Sequence, residues 1–498
     1  MKQQACLIAV DLGTTAVKVM AVSFEGNILT ETQAKYPLDH PRSGIYEQDP
    51  DQIFQATLRS LQRILSELEQ TEVRGISFSS AMHSLIAVDP LGKPLSPSII
   101  WADSRSEDEA EALKPTKLGK YIYQQTGTPI HPMSPLCKLI WMQKNKPRLL
   151  QQTYKFLGIK EYILYKLSGE WVVDHSIASA TGLFNIFKKN WEPKALELTG
   201  VRLEQLPTPI PTFYILKNIH PDLPAKLPLI VGASDGCLAN IGSGGIICGD
   251  ATVTIGTSGA IRVLANSPKI DQSMRLFTYI LDEDHYIEGG PINNGGKVLD
   301  WYYKGFLEEV PDLGLYLESV FEEVQPGAGG LLCLPYLMGE RAPIWDANTR
   351  GVFLGVRSGH TKKHFVRAIM EGVIFSLLQI GEALEETHID YETIYAGGGF
   401  ARSTGWVQML ADIFQHKVIL SGTIQQSGMG AIALGMRALG EIKAYGDFPF
   451  SRINEKVFTP NTKTHETYNV HYGVFKGLYH KLKEDFHTLI EFQQEKDY

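Results

Sequence analysis

The chain is poor in cysteine, with five thiols in 498 residues: Cys6, Cys137, Cys237, Cys248 and Cys333. An odd number with no C-x-x-C pair argues against a disulfide framework or a thiolate zinc site, and predicts thiols in a reducing, cytoplasmic setting. Also missing is any apolar run approaching the roughly 18 to 20 residues of a membrane span. The opening stretch MKQQACLIAVD reaches an acid at Asp11, too early for the apolar core of a signal peptide. Basic residues are not in excess. With 47 Lys and Arg against 55 Asp and Glu, the net charge of −8 argues against a nucleic-acid partner, which requires a basic face. Neither G-x-x-x-x-G-K-[ST] nor G-x-G-x-x-G occurs, so the P-loop and the dinucleotide fingerprint are both excluded. Low-complexity segments and an obvious linker are lacking as well.

What remains is the composition of an ordinary globular protein, 44% hydrophobic and 20% charged. The length is too great for one core and predicts two large domains. Their boundary is drawn from an internal echo. LIAVDLGTTAVKVMAV (7–22) reads as strand, turn, strand, and ATVTIGTSGAIRVLA (251–265) repeats it almost half the chain later. Gly13 and Gly256 hold corresponding places. The boundary is placed near residue 245, within NIGSGGIICGD, giving domains 1–245 and 246–498.

Each half alternates strand-like and helix-like segments, the signature of α/β layers. VRGISFSS, LIAVDP and LPLIVGAS read as strands. Residues 364–387 place Val366, Ile369, Val373, Leu377, Ile380 and Leu384 at helical spacing. A second amphipathic helix is expected near the C-terminus, with Val474, Leu478, Leu482, Phe486 and Leu489 on one face and its aromatics in a core or interface.

The residues of the two turns are unusual for hairpins, which need only Asn-Gly or Asp-Gly. Turn amides can form an anion-binding concavity. Gly13 and Gly256 would admit a phosphate, with Thr14, Thr15, Thr257 and Ser258 as hydroxyl donors and Lys18 just beyond the first turn. Asp11 repels phosphate unless a cation intervenes, so it is a candidate Mg²⁺ ligand, direct or through water. The alternative is an Asx-turn closed by Asp11. AGGGFARSTGWVQMLADIF (396–414) puts Gly398 and Gly399 between a strand and a helix, where bare backbone can carry a flat ring such as adenosine. Asp235 in GASDG ends an apolar strand, a common ligand position in α/β folds, and can serve as the base of phosphoryl transfer. Its alternative is a helix N-cap. SSAMHS and WADSRS bring Met82, His83, Trp101, Asp103 and Arg105 after strands, which suits a polyhydroxylated ligand.

Taken in order, these pieces resemble the FGGY family of carbohydrate kinases over nearly the whole chain. DLGTT and TIGTSG resemble its two phosphate loops and GGGFARSTGWVQMLADI its adenosine loop. MSPLCKLIWMQKN (133–145) and GVFLGV…HFVRAIME (351–371) resemble its two long signatures. The resemblance implies two ribonuclease-H-like domains of the actin and hexokinase type flanking a deep cleft. The first carries sugar, one phosphate loop and the catalytic aspartate, and the second carries the other phosphate loop and adenosine. By the same likeness Asp235 is the catalytic base, and Met82, His83 and Met133 contact the sugar. Thr257, Gly296, Gly399 and Ser403 contact ATP. SFSSAMHSLIAVD, IIWADSRS, GTPIHPMSP and GGPINNGG most resemble the branch acting on gluconate, with pentulose kinases next. Arg105, His83 and Lys160 are candidate partners for the sugar-acid carboxylate, Arg105 alternatively bridging to Asp103. Many relatives carry a glutamate near Gln425 or Gln426, a departure that bears on the outer wall of the adenosine pocket. A homodimer is the family-level expectation, with no membrane partner.

Overall fold

The structure is a computed structural model that describes residues 4–68, 70–307, 310, 312–420, 425–449 and 455–494. It divides into two compact units. The first gathers Met1–Ile247, Leu264–Glu288 and Gln425–Ser451, and the second Cys248–Val263, Gly289–Ile424 and Arg452–Tyr498.

The first unit is built on a mixed six-stranded sheet. Its order is Ile215–Lys217, Pro228–Ser234, Glu72–Ser80, Ala5–Leu12, Ala16–Ser23 and Ile28–Lys35. The middle three run parallel, and the others join antiparallel. Ala5–Leu12 is apolar at every position from Cys6 to Val10, as a strand covered on both faces must be. Alternation then sorts its side chains. Cys6, Ile8 and Val10 enter a core with Ile53, Leu61 and Ile64 of helix Pro50–Ser66. Leu7 and Ala9 enter another with Leu238 and Ile432, from helices Asp235–Gly242 and Gln426–Ala438. Those two helices pack backbone to backbone, because a Cβ on Gly430 would lie 2.0 Å from the Leu238 carbonyl oxygen.

The second unit repeats the central motif. Strands Asp250–Ile255 and Gly259–Ala265 form a hairpin, and the first of them runs parallel to Thr393–Gly397. That strand is followed in the sheet by Lys417–Leu420, parallel, and Lys456–Phe458, antiparallel. The helical face read from spacing in 364–387 is buried along its length in helix Lys362–Glu386. This is the only helix among the described residues long and apolar enough to cross a membrane, and most of it lies in the protein core.

The last helix, Thr462–Gln494, differs from the expected face. Val474 and Leu489 are exposed, whereas Tyr468, Tyr472, Phe475, Tyr479, Phe486 and Ile490 are buried with Leu478. Aromatic rings bury the largest areas, so they, rather than the aliphatic stripe, set the helix's rotation.

Candidate functional site

In the first unit the three parallel strands end together. Asp11 is level with Ser79, and Ser79 with Ala233, in the ladder. The carboxyl ends of these strands therefore deliver the turn after Asp11, the Met82–His83 segment and Asp235 to one edge of the sheet. A register shift between Ile230 and Ala233 contributes to this. At its centre Gly232 has φ 69°, and a Cβ there would lie 1.8 Å from the Phe78 carbonyl oxygen, so only glycine fits. Asp235 is the first residue of its helix, and Ser234 occupies the N-cap. The Asp235 carboxylate accepts from Gly236 N–H at 2.7 Å.

Both Asp11 carboxylate oxygens are oriented by hydroxyls: Ser79 Oγ donates to Oδ1 at 2.8 Å and Ser427 Oγ to Oδ2 at 2.7 Å. Among the described residues no cluster of three or more His, Cys, Asp or Glu could hold a metal. One carboxylate flanked by hydroxyls does fit Mg²⁺, which commonly keeps several waters and takes phosphate oxygens through one or two protein carboxylates. The turn itself is braced. Gly13 N–H bonds the Ala16 carbonyl at 3.1 Å, and the Gly13 carbonyl accepts from Tyr36 O–H. Gln48 Nε2 donates to the Thr14 carbonyl at 2.7 Å and Trp101 Nε1 to Thr14 Oγ1 at 2.9 Å. As acceptor toward Trp101, the Thr14 hydroxyl keeps its proton to donate. Thr15 and Lys18 are exposed, and Lys18 lies opposite Asp11 in the hairpin.

Met82 and Trp101 are half-buried, and His83, Asp103 and Met133 are buried. His83 has φ 70°. Its Nδ1 lies 2.8 Å from the Ala180 carbonyl, an acceptor only, so Nδ1 carries a proton. Arg105 makes the bridge to Asp103: Nε to Oδ1 at 2.7 Å and Nη2 to Oδ2 at 2.8 Å, with Nη2 also 2.6 Å from Glu47. Lys160 pairs with Asp174 at 2.6 Å, both buried. Their neighbour Glu161 is pushed up to about 7 by burial.

In the second unit Gly256, Thr257, Gly296, Gly399 and Ser403 line one cavity of about 680 Å³, with Phe400 and Trp406 among its walls. The volume is that of a pocket for a nucleotide-sized ligand. A Cβ added at Gly256 would meet nothing within 4 Å, whereas one on Gly398 would meet the Ile255 carbonyl oxygen at 2.6 Å. The turn is held by the start of helix Gly296–Phe306. Gly296 N–H donates to the Gly256 carbonyl at 2.7 Å, and Gly295 and Lys297 N–H donate to that of Thr257 at 3.2 and 3.3 Å. Ser258 closes the turn, its carbonyl accepting from Gly256 N–H at 2.8 Å. Ser403 caps helix Thr404–Phe414. Behind the turn, Glu340 accepts from Asn293 N–H at 2.5 Å and Asn294 Nδ2 at 3.0 Å, and burial pushes its carboxyl up to about 7.

Gln425 and Gln426 are not among the residues that line this cavity. Gln425 Nε2 donates to Glu31 at 3.3 Å in the first unit, beside Asp11 and Lys18, so the departure touches the surroundings of the first turn. Spacing in the sequence did not single out Ser79, Ser427, Lys138 or Glu340. Serines are too common to flag, and Lys138 and Glu340 stand in segments whose burial is not readable from a polar residue type.

Known proteins resemble this chain in sequence and fold. A family described as "FGGY family of carbohydrate kinases, N-terminal domain" matches residues 6–242, and its C-terminal domain matches residues 251–439. A gluconokinase of Bacillus subtilis (strain 168) is 38% identical, with 98% of each chain covered. The crystal structure of a gluconate kinase from Lactobacillus acidophilus aligns with a TM-score of 0.93 at 34% identity, covering 98% of this chain and all of the other. A ligand-bound xylulose kinase from the same organism also aligns at 0.93, with 33% identity over 97% of this chain and all of the other.

Proposed function

The chain belongs to the FGGY family of carbohydrate kinases, and from that premise we propose that it transfers the γ-phosphoryl group of ATP to the 6-hydroxyl of D-gluconate, giving 6-phospho-D-gluconate. The observation that carries the choice of sugar is the likeness to a gluconokinase at 38% over 98% of the chain. In this reading the 680 Å³ cavity takes the nucleotide, its adenosine on Gly398, Gly399 and Ser403 and its phosphates at Gly256–Ser258 and Gly296.

Phosphoryl transfer proceeds through a loose transition state, so positioning and charge neutralisation dominate. Mg²⁺, when bound near Asp11, would neutralise charge on the β- and γ-phosphate oxygens. Ser79 and Ser427 hold the Asp11 carboxylate in one orientation. Gly13 opens the first turn, and Thr14, Thr15 and Lys18 supply donors there. Asp235 aligns the sugar hydroxyl and accepts its proton as the new P–O bond forms and the bond from the γ-phosphorus to the bridging oxygen breaks, releasing ADP. Met82, His83, Trp101, Asp103 and Met133 form the sugar-binding set. A substrate carboxylate reaching Arg105 has to compete with Asp103 and Glu47, which already match its charge.

A coupled assay of ADP release with gluconate, xylulose, ribulose and glycerol tests the proposal. Gluconate should give the highest kcat/KM. A preference for xylulose would make the chain a pentulose kinase, the reading favoured by its likeness to the xylulose kinase structure. Sugar-independent ADP release would overturn both.

A further inference from the structure

Lys138 is fully buried in the first turns of helix Pro135–Asn145. Its Nζ donates to three carbonyl oxygens, those of His83 at 2.6 Å, Ile100 at 2.8 Å and Ile99 at 3.3 Å. An ammonium has three N–H donors and accepts nothing, so the three carbonyls use its capacity in full. Burial among neutral acceptors disfavours the charge and pushes the group down to about 7. A leucine or methionine would fill the same volume without that desolvation cost. What the lysine adds is direction.

Each carbonyl belongs to a segment carrying a candidate sugar contact. His83 is itself one, and it holds a left-handed backbone that a non-glycine residue keeps only when its surroundings over-determine it. Two grips do so: Lys138 on its carbonyl and Ala180 on its ring. Ile99 and Ile100 directly precede Trp101, whose indole reaches Thr14 in the first turn. The Ile100 carbonyl also accepts from Asp103 N–H at 3.2 Å. The same helix is capped by Ser134, next to Met133. One side chain of this helix thus gathers two stretches of chain that are separate in sequence, at His83 and at Ile99–Ile100.

Resting on the assignment of these segments to the sugar, we infer that Lys138 is a positioning residue that sets the Met82–His83 and Trp101–Asp103 segments in register with each other. It touches no reacting atom and acts through the backbone of its three partners. Misplacement of binding groups by about 1 Å can cost on the order of 10²-fold.

Two variants test it, Lys138→Met, which keeps volume and removes every donor, and Lys138→Gln, which keeps two N–H donors. Steady-state kinetics are read against sugar and against ATP, with thermal melting alongside. Lys138→Met should raise the sugar KM and lower kcat, together roughly ten- to hundredfold in kcat/KM, and raise the ATP KM by a clearly smaller factor, since only Trp101 links the lysine to the first turn. Lys138→Gln should recover part of the loss. Wild-type sugar kinetics in Lys138→Met would overturn the inference, whatever the melting temperature. So would equal losses for Gln and Met, or a matched rise in both KM values. If Lys138→Met does not fold, the sugar-against-ATP split in Lys138→Gln decides. The assay uses whichever sugar the wild type prefers. A preference for xylulose would therefore retire gluconate without touching Lys138, and an unchanged sugar KM would retire Lys138 without touching gluconate.

Discussion

The two glycine–threonine hairpins occupy the same place in two similar sheets, each with its leading strand parallel to a neighbour, yet those neighbours end differently. Beside the first hairpin, Glu72–Ser80 ends in serines, and Ser79 holds the Asp11 carboxylate. Beside the second, Thr393–Gly397 runs into Gly398, packed against the Ile255 carbonyl, and Gly399, which lines the 680 Å³ cavity. The bracing differs too. Side chains of Tyr36, Gln48 and Trp101 pin the first turn, whereas backbone amides of residues 295–297 pin the second. One scaffold thus presents an oriented acid in the first unit and a bare, accessible backbone in the second. The difference teaches that the fold supplies a strand-end platform, and the residues ending the parallel neighbour decide what the platform does.

If the acid chemistry belongs to the first unit, the largest effect should come from Asp235→Asn. It should lower kcat by roughly 10²- to 10⁴-fold with sugar KM largely kept, as steady-state assays would show. Near-normal turnover would remove Asp235 as the base. Next, Asp11→Asn should raise the Mg²⁺ concentration for half-maximal rate by about ten- to hundredfold, read from magnesium titrations. The same titration on Thr257→Ala should move little, since the second turn has no acid. Equal shifts would break the comparison. Smaller again, Gly256→Ala should raise the ATP KM by about tenfold while the melting temperature holds, because the added methyl meets only the cavity. Gly296→Ala should weaken both ATP binding and stability, since its Cβ would lie 2.9 Å from the Gly256 carbonyl oxygen.

The smallest expected effect is on stability with pH. Burial pushes Glu340 in the second unit to about 7 and Glu288 in the first to about 8. An unfolded glutamate titrates near pH ~4.3, so the folded state holds these protons longer, and stability falls as pH rises from about 4.3 until the folded carboxyls titrate at about 7 and 8. Lys138 has the opposite sign. Depressed to about 7 against ~10.4 unfolded, it adds stability as pH rises between those values. From these groups the first unit should partly recover above about pH 8 and the second should not. Hydrogen exchange corrected for intrinsic rates at each pH would read the two separately, and parallel curves would count against the contrast.

Much is readable from the chain alone because it is local. Apolar alternation marks the strands around Asp11 and Asp235, period 3.6 marks the buried face of Lys362–Glu386, and glycines beside hydroxyls mark both turns. The twin hairpins and long signatures carry the family likeness without any tertiary contact. The residues that orient those groups are beyond such reading. Ser427 reaches Asp11 across 416 residues because helix Gln426–Ala438 packs on the first unit's sheet. Arg105 could not be assigned to Asp103 and Glu47 without their geometry, nor Lys138 to three carbonyls. The rotation of the last helix is decided by the rings it has to bury. Sequence determines the character of each segment, since strand, helix and turn preferences act over a few residues. Which polar group meets which is settled by packing, where the cost of an unpaired buried polar group draws most donors to an acceptor, however far along the chain it lies.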